Sequence, residues 1–332
     1  MSDLGHWLTD KELAALEERI VKLYQEASEE MQSKVEEYFA KLVKRDAEQQ
    51  KLLEAGTITE QQYRQWRLAQ FGRGKRFAEL QKALAERYTK ANETAVAYIN
   101  DTTPGIYSLN RNYAAYTIEQ VGGNVGFTIW DEQTVRRMAV EKPDVMPYYP
   151  PKRALNRGID LDWGKRQISA QVTAGILQGE SIGNLANRLQ KKIPDMNRAS
   201  AVRSARTAIT AAQNAGRMDS YVAAEKMGIE LEREWVATLD GRTRHAHRLL
   251  DGQTAPMGKP FRVDGQRIEY PGDPKAAPYL VYNCRCTLVA KVKGIDTPNA
   301  QRRARDPETG KSVVVENMTY SQWEEWVRKR EG

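Results

Sequence analysis

Apolar residues recur at steps of three and four from Leu13 to Leu42, and this spacing constrains the fold more than any other feature of the chain. The positions are Leu13, Leu16, Ile20, Leu23, Ala27, Met31, Val35, Phe39 and Leu42. The spacing predicts a long amphipathic helix that extends to about Gly56, with Glu, Lys and Arg on its other face. An isolated helix of this kind is only marginally stable, so its apolar stripe must pack against further elements.

The rest of the first hundred residues predicts partners for that helix. A capping box at Thr9–Glu12 predicts its start, and a similar box at Thr59–Gln62 starts a second helix. A third helix is predicted to end near Ile99, because Pro104 and its neighbours Asp101 and Gly105 are typical of a break. We therefore predict a helical arm over residues 1–105, either a hairpin or a small bundle.

The segments after the arm are shorter and more varied. Residues 106–151 predict a helical linker region with helices near 110–121 and 132–140, followed by a Pro/Tyr-rich loop. We predict a third domain over residues 152–293 and a C-terminal tail over residues 294–332. Within the tail, residues 302–310 are predicted to be disordered, and a short amphipathic helix is predicted after them.

Residues 152–293 combine helical and extended patterns. The predicted helices are Leu161–Leu177, Ser181–Lys192 and Arg198–Met227, and the predicted strands are Glu230–Leu239, Phe261–Val263, Arg267–Tyr270 and Cys286–Val292. The fold class predicted for the whole chain is α+β and predominantly helical. It has a long N-terminal helical arm, a helical middle and a small C-terminal α+β domain.

Composition narrows the class of protein. With 332 residues, 29% charged and 8% aromatic, the chain can bury a core and form two domains. It has no run of eighteen apolar residues and no signal-peptide pattern at its N-terminus, so we expect no membrane association and a start in the cytoplasm. The two cysteines, spaced Cys-x-Cys, are too close for an ordinary disulfide framework and suit a reducing compartment.

The positive charge is concentrated in one segment. Between Lys152 and Arg217 there are twelve Lys and Arg against four Asp and Glu, while the whole chain has a net charge of +7. One interpretation is a solvated helical surface, and the other is a patch that faces phosphates or an acidic protein. Under the second interpretation, the candidate DNA contacts are Arg188, Lys191, Lys192 and Arg198.

Both cysteines and two of the three histidines lie between Arg198 and Lys291. His247, Cys284 and Cys286 could offer one nitrogen and two thiolates, with His245 or Asp240 as a fourth ligand. Soft ligands of this kind select zinc. Cys-x-Cys is shorter than the usual Cys-x2-Cys spacing, although alternate residues of a strand do share one face. Zinc is the one cofactor that the sequence suggests.

Three other interpretations of these residues stay open. His245 and His247 could hold a catalytic metal, but Arg248-Leu249 stands where a binuclear hydrolase would have Asp-His. A Cys nucleophile with His247 as its base is possible. The third interpretation is structural, with His247 and Cys284 as hydrogen-bonded core groups that hold a long loop against a strand.

Charged residues of the same loop suggest a structural role as well. Arg242, Arg244 and Asp251 flank a long loop that has few apolar residues. We expect them to form an internal ion-pair network that fixes the turn.

A series of ordered fragments resembles a known family. The fragments are Ala205-Arg206-Thr207, Asn214-Ala-Gly216-Arg217, Trp235, Asp240-Gly-Arg242-Thr-Arg244, His247, Leu250-Asp251-Gly252, Pro260-Phe261, Pro271-Gly272-Asp273 and Asn283-Cys284-Arg285-Cys286. Over about residues 160–292 this order resembles the C-terminal domain of the phage Mu F-like minor head proteins, the head morphogenesis family of tailed bacteriophages. Met318–Trp323 is also similar to a short end-helix of such proteins. One departure is Ala208, where the family commonly has Glu.

The resemblance implies a minor capsid protein in the interior of the phage head, present in the host cytoplasm during assembly. Its implied partners are the portal protein, the major capsid or scaffolding protein, and double-stranded DNA. Some relatives carry an appended toxin domain such as an ADP-ribosyltransferase, and we expect none here and no enzyme activity. The rival hypothesis is an enzyme, either a metal-dependent hydrolase or a Cys nucleophile, that uses His247, Cys284 and Cys286.

Overall fold

The computed structural model describes residues 3–72, 74–122, 126–141, 158–295, 301–306, 309 and 312–331. It divides into two compact units, each built from separate stretches of the chain. The sheet-bearing unit comprises Met1–Leu16, Ile99–Pro150 and Arg203–Gly332, and the helical unit comprises Glu17–Tyr98 and Pro151–Val202. The division into four consecutive segments that the sequence suggests stays a prediction.

The elements confirm a predominantly helical α+β fold. The helices are α1 (Leu4–Glu54), α2 (Glu60–Gly72), α3 (Lys75–Gly122), α4 (Glu132–Glu141), α5 (Leu161–Leu177), α6 (Ile182–Asn187), a π-helical turn (Arg188–Lys192), α7 (Ile193–Lys226), α8 (His245–Leu250), α9 (Pro278–Val281) and α10 (Tyr320–Glu331). The strands are β1 (Leu231–Val236), β2 (Thr254–Pro256), β3 (Phe261–Val263), β4 (Gln266–Ile268), β5 (Thr287–Val292), β6 (Gln301–Arg305) and β7 (Ser312–Glu316).

The first helix begins earlier than its predicted capping box. The backbone N–H of His6 donates to the Asp3 carboxylate at 2.9 Å, so Asp3 performs the capping role. Thr9 lies inside α1, where its hydroxyl donates to the Gly5 carbonyl at 2.8 Å and accepts from the Asn110 side chain at 2.7 Å. The predicted start at Thr9 is therefore wrong, because a buried partner engages its hydroxyl.

The second predicted capping box is confirmed. The backbone N–H of Gln62 donates to the Thr59 hydroxyl at 3.2 Å, and that of Thr59 donates to the Gln62 side chain at 2.8 Å. These reciprocal bonds satisfy two of the N–H groups that a helix start leaves without partners.

The predicted break at Pro104 is wrong, because α3 continues through it to Gly122. Proline has no backbone N–H, so the carbonyl four residues earlier in the helix loses its usual hydrogen-bond donor. Here that carbonyl belongs to Asn100. The hydroxyl of Thr103 donates to this carbonyl at 3.3 Å and replaces the missing bond. The separate helix predicted over residues 110–121 is the last part of α3.

In the helical unit, the apolar stripe of α1 is buried as its spacing predicts. Ile20, Ala27 and Val35 have no exposed surface. The Tyr24 hydroxyl donates to the Asn92 side chain of α3 at 2.5 Å, and the Ser28 hydroxyl donates to the Gln190 carbonyl at 2.5 Å. Polar bonds at the edge of the stripe therefore tie α1 to two other elements of this unit.

In the sheet-bearing unit, β1 is the central strand of an antiparallel sheet with the order β2-β1-β5. Its side chains alternate between buried and half-buried, as the sequence pattern predicts for Leu231 and Trp235. Arg233 is also fully buried, and its guanidinium donates to the carbonyls of Pro256 at 2.8 Å and Glu269 at 2.9 Å. These bonds hold the irregular segment after β2 against the strand.

The C-terminal segment is more ordered than predicted. The stretch predicted to be disordered begins at Arg302, but residues 302–305 belong to β6, which pairs antiparallel with β7. Tyr320 and Trp323 of α10 pack with Leu239 and Ala304 in a small second core. The amphipathic helix predicted near residue 320 is thus confirmed, and its apolar face covers this core.

Two further expectations concern membranes and the Pro/Tyr-rich loop. Within the residues that the structure describes, no helix has the length and apolar character needed to cross a membrane. The loop predicted over residues 143–151 lies outside the described residues.

Candidate functional site

One face of α7 holds the backbone of the cysteine turn. The Thr207 hydroxyl accepts from the Asn283 N–H at 2.9 Å, and the Thr210 hydroxyl donates to the Cys284 carbonyl at 2.7 Å. Asn214 donates to the Cys286 carbonyl at 3.2 Å and accepts from the backbone N–H at position 288 at 2.9 Å. Steps of three and four place these side chains on one helix face. Arg206, from the same fragment, is half-buried on α7.

Beneath that backbone, three candidate ligands converge. The Nδ1 atom of His247, on α8, lies 3.7 Å from Cys284 Sγ and 3.4 Å from Cys286 Sγ. The exposed fractions of the three residues are 3%, 1% and 2%. The other ring nitrogen of His247, Nε2, lies 3.0 Å from the Leu280 carbonyl and must donate to it. Nδ1 therefore presents a lone pair to the two sulfurs.

The two thiols differ in their electrostatic surroundings. Burial acts to raise the pKa of Cys284, but hydrogen bonds from Cys286 and the charges of Arg244 and Arg285 outweigh it and lower that pKa. Burial raises the pKa of Cys286 well above its ordinary value, and neighbouring Cys284 adds to the effect. Of the two thiols, Cys284 is therefore the one whose surroundings favour the thiolate.

Asp240 and His245, the suggested fourth ligands, are not brought into this group. Asp240 is buried, and both its oxygens accept from Arg285, at 2.5 and 2.9 Å. Burial acts to raise the pKa of Asp240, but Arg285 and the Arg242 backbone N–H hold it below its ordinary value. His245 is exposed. Within the described part of the chain, the group of converging ligands consists of one histidine and two cysteines.

The loop is fixed by polar contacts, but to partners other than those expected. Arg244 donates to the carbonyls of Tyr279 and Tyr282. Asp251 accepts from the Ala237 N–H at 2.7 Å and forms a buried ion pair with Arg302. The Arg242 side chain is 65% exposed, and its guanidinium lies 3.8 Å from Asp240.

Trp235 and Gly252 close the site from the side of the sheet. The Trp235 ring packs edge-on against His247, with centroids 5.7 Å apart, and against Phe261 at 5.5 Å. Gly252 has a φ of +75°, which favours glycine, and its N–H donates to the Trp235 carbonyl at 2.8 Å. The family fragments Trp235 and Asp251-Gly252 thus meet around one buried cluster.

The basic residues predicted to contact DNA separate into two kinds. Arg188 is buried and bound to Glu180, Gln171 and Gln178, so its prediction as a DNA contact has to be corrected. Lys191 and Lys192 are exposed. Arg198 is half-buried, and its guanidinium lies 3.1 Å from Asp195.

Sequence reasoning missed a second basic surface, in the helical unit. A groove of about 680 Å³ between α1 and the start of α3 is lined by basic, acidic and apolar residues. Its basic residues, all exposed, are Lys34, Lys41, Arg45, Lys75 and Arg76. The aromatic rings of Tyr38 and Phe77 form part of its floor. The signal was the spacing of Lys34, Lys41 and Arg45 along one helix face, masked by the intervening Glu residues.

Comparison with known proteins agrees with the ordered fragments. The family described as Phage Mu protein F like protein matches residues 166–289. The Minor head protein GP7 of Bacillus phage SPP1 is 32% identical over 235 residues, which cover 70% of this chain and 72% of that protein. The NAD(+)–arginine ADP-ribosyltransferase EFV of Enterococcus faecalis is 26% identical over 166 residues, which cover 50% of this chain but 32% of that protein.

No solved structure matches the chain. The similarity to the SPP1 protein nevertheless extends well beyond the segment that matches the family, residues 166–289. It covers 70% of this chain and 72% of the SPP1 protein. The resemblance seen in the fragments from Ala205 to Cys286 is thereby confirmed. The chain belongs to the phage Mu F-like family of minor head proteins.

Proposed function

We propose that this protein is a non-enzymatic component of the phage head that joins the portal protein during head assembly and contacts packaged DNA. The observation that carries the proposal is its 32% identity to a minor head protein over most of both chains. The major capsid or scaffolding protein is the second partner that we propose. The site of action is the interior of the head, reached from the host cytoplasm during assembly.

The burial of the His/Cys cluster supports a non-enzymatic role. A Cys nucleophile or a hydrolytic metal has to meet a substrate, whereas His247, Cys284 and Cys286 are each at most 3% exposed. The ADP-ribosyltransferase relative matches over 32% of its own length, so the activity in its name belongs to that whole protein. Incubation with labelled NAD and an arginine-rich acceptor tests this point, and transfer of label would contradict the proposal.

Reconstitution of heads tests the assembly proposal. The portal, scaffolding and major capsid proteins of the phage are produced together with this chain, and purified heads are analysed by quantitative mass spectrometry. We expect a few copies of the chain per head, and none in heads assembled without portal protein. Entry into portal-free heads would refute the portal assignment, while absence from all heads would refute the assembly role itself.

Exposed lysines of the helical unit support the DNA contact. Lys191 and Lys192 end the π-helical turn, and the basic groove adds Lys34, Lys41 and Arg45 on α1. Exposed ammonium and guanidinium groups bind phosphates and release counterions, without reading sequence. We therefore propose binding that is independent of sequence and weakened by salt.

Charge reversal separates the two basic surfaces. One variant carries Lys191→Glu, Lys192→Glu and Arg198→Glu, and a second carries Lys34→Glu, Lys41→Glu and Arg45→Glu. The matched control reverses three exposed lysines elsewhere, Lys226, Lys259 and Lys275. For DNA-binding affinity, the plot of log K against log salt has a negative slope, and each lost phosphate contact makes that slope shallower by about 0.9. Reversing three residues of a surface that contacts DNA should therefore make the slope shallower by about 2 to 3. If both variants retain the slope of the control, the DNA contact is refuted.

A further inference from the structure

We propose that His247 Nδ1, Cys284 Sγ and Cys286 Sγ bind one zinc ion, which joins α8 to the turn before β5. The site is structural, because its ligands are buried in the core of the sheet-bearing unit together with Trp235 and Leu288. It lies outside the portal and DNA contacts proposed above, and it does not depend on them.

The distances between the ligand atoms fit a tetrahedral ion. Zinc lies about 2.3 Å from a thiolate sulfur and about 2.0 Å from an imidazole nitrogen, so neighbouring ligand atoms of a tetrahedron are about 3.5 to 3.8 Å apart. Here the His247 nitrogen lies 3.7 Å from the Cys284 sulfur and 3.4 Å from the Cys286 sulfur. All three ligand atoms lie within 4.8 Å of one another. The two nitrogen-to-sulfur distances need shifts of only a few tenths of an ångström, whereas the two sulfurs, which lie within 4.8 Å of each other, approach by up to about 1 Å when the ion binds.

The groups around the ligands orient them toward a common point. The Leu280 carbonyl accepts from Nε2 of His247, so the neutral imidazole has its lone pair on Nδ1, which is the tautomer that binds a metal through that atom. The backbone N–H of Cys286 donates to the Cys284 sulfur, with N and S 3.4 Å apart, which suits a thiolate acceptor. Metal ligands are commonly held by such outer bonds.

The short Cys-x-Cys spacing is accommodated by the backbone of the turn. Asn283 has a φ of +55°, a left-handed conformation that bends the chain just before the first cysteine. Thr210 and Asn214 then bind the carbonyls of Cys284 and Cys286. With the carbonyls held by α7, both sulfurs point to His247 on the other side.

Three protein ligands leave one tetrahedral position. Asp240 does not fill it, because its carboxylate is bound by Arg285. We assign the fourth position to a water molecule. Catalytic zinc sites also have three protein ligands and a water, but here the three ligands are at most 3% exposed, so the site is closed to a substrate. The ion links His247 to Cys284 and Cys286, which lie 37 and 39 positions later in the sequence. It therefore joins the two ends of the irregular segment that contains β2 and α9.

Metal analysis of the full-length protein tests this site. The protein is purified without chelators from cells grown in zinc-supplemented medium, and its zinc is measured by mass spectrometry. We expect about one zinc per chain in the wild type, and less than about a tenth of that in Cys286→Ser or His247→Ala. The control is His245→Ala, which removes an exposed histidine two positions away and should keep its zinc.

A second measurement keeps the proposal falsifiable if those variants fail to fold. Wild-type protein is stripped with a chelator and titrated with Co²⁺, whose visible bands and sulfur-to-cobalt charge transfer report tetrahedral thiolate ligands. We expect saturation at one equivalent, and a lower melting temperature for the stripped protein than for the zinc-loaded one. Wild type without zinc and without these bands would overturn the site, and so would a Cys284–Cys286 disulfide in protein purified under reducing conditions.

Discussion

Arg217 and Asp3 form an ion pair across 214 positions of the sequence, with N–O distances of 2.6 and 2.7 Å. The guanidinium is buried, and it also donates to the Leu288 carbonyl at 2.9 Å and to Asn110 at 3.1 Å. One side chain of α7 therefore holds the start of α1, the C-terminal part of α3 and strand β5. In this chain, Arg217 of the fragment Asn214-Ala-Gly216-Arg217 is thus a structural residue.

The first prediction concerns the stability of Asp3→Asn. Burial acts to raise the pKa of Asp3, but the charge and hydrogen bonds of Arg217 outweigh it and hold that pKa at about 2, against an ordinary 3.8. Because the folded-state pKa is depressed, the ion pair stabilises the protein above the unfolded pKa and loses this contribution as the pH falls through about 2. We expect the variant to unfold with a free energy lower by about 2 kcal/mol at neutral pH.

Urea unfolding at pH 7 and at successively lower pH measures this effect. The gap between wild type and Asp3→Asn should narrow below pH 3.8 and close near pH 2. Asp10→Asn is the control, because that carboxylate is 54% exposed and should change the free energy of unfolding little. A gap that stays constant over this range would contradict the assignment.

Regular spacing and capping chemistry allowed most of the fold to be predicted. The bounds predicted for α5 agree with the structure, since Asp160 caps its start and Gly179, at φ +74°, follows its end. Thr9 and Pro104 were misread because the partner of Thr9 is Asn110 and the carbonyl freed by Pro104 is bound by Thr103. Local patterns carry no information on long-range partners, and they do not reveal a side chain that repairs a helix.

The site divides in the same way. Residue chemistry was enough to select His247, Cys284 and Cys286, which the fold brings together. The prediction that Arg188 contacts DNA was wrong, because the sequence does not show whether an arginine faces solvent or, as here, the carboxylate of Glu180. The ion pair between Arg285 and Asp240 was not predicted either. The two residues are 45 positions apart in the sequence, and only the tertiary fold brings them together.

The second prediction concerns the C-terminal segment. Arg302 is buried and donates to the Asp251 carboxylate and to the Met318 carbonyl. Asp251 also accepts from the backbone N–H of Tyr320 at 2.7 Å. Removing one member of a buried pair leaves an uncompensated charge and costs about 3 to 5 kcal/mol. We expect Arg302→Met to weaken the docking of α10 by this amount.

Hydrogen exchange followed by mass spectrometry reads this change directly. The amides of α10 should exchange faster in Arg302→Met, while those of α7 keep their protection. Arg305→Met is the control, because its side chain is exposed and its backbone N–H, which donates to the Leu239 carbonyl, is unaffected. Unchanged protection of α10 in Arg302→Met would contradict the role given to the ion pair.

The third prediction concerns the close approach of α3 and α7 at Gly216. A Cβ atom there would lie inside van der Waals contact of the Tyr107 carbonyl oxygen and 3.1 Å from the Arg111 backbone nitrogen. Both obstacles are backbone atoms of α3, which a rotamer change cannot relieve. Gly216→Ala should therefore lower the free energy of unfolding by about 1 to 3 kcal/mol, although alanine favours an isolated helix.

Gly183→Ala on α6 is the matched control for Gly216→Ala, because a Cβ there meets only the Ser181 hydroxyl, at 3.8 Å. With open space around it, the added methyl group should leave stability unchanged or raise it by up to about 1 kcal/mol. Thermal and urea unfolding should therefore show a loss of stability in Gly216→Ala and none in Gly183→Ala if α3 and α7 pack as closely as described. Equal effects in the two variants would mean that helix propensity alone decides, and that the glycine of the family fragment is not there for packing.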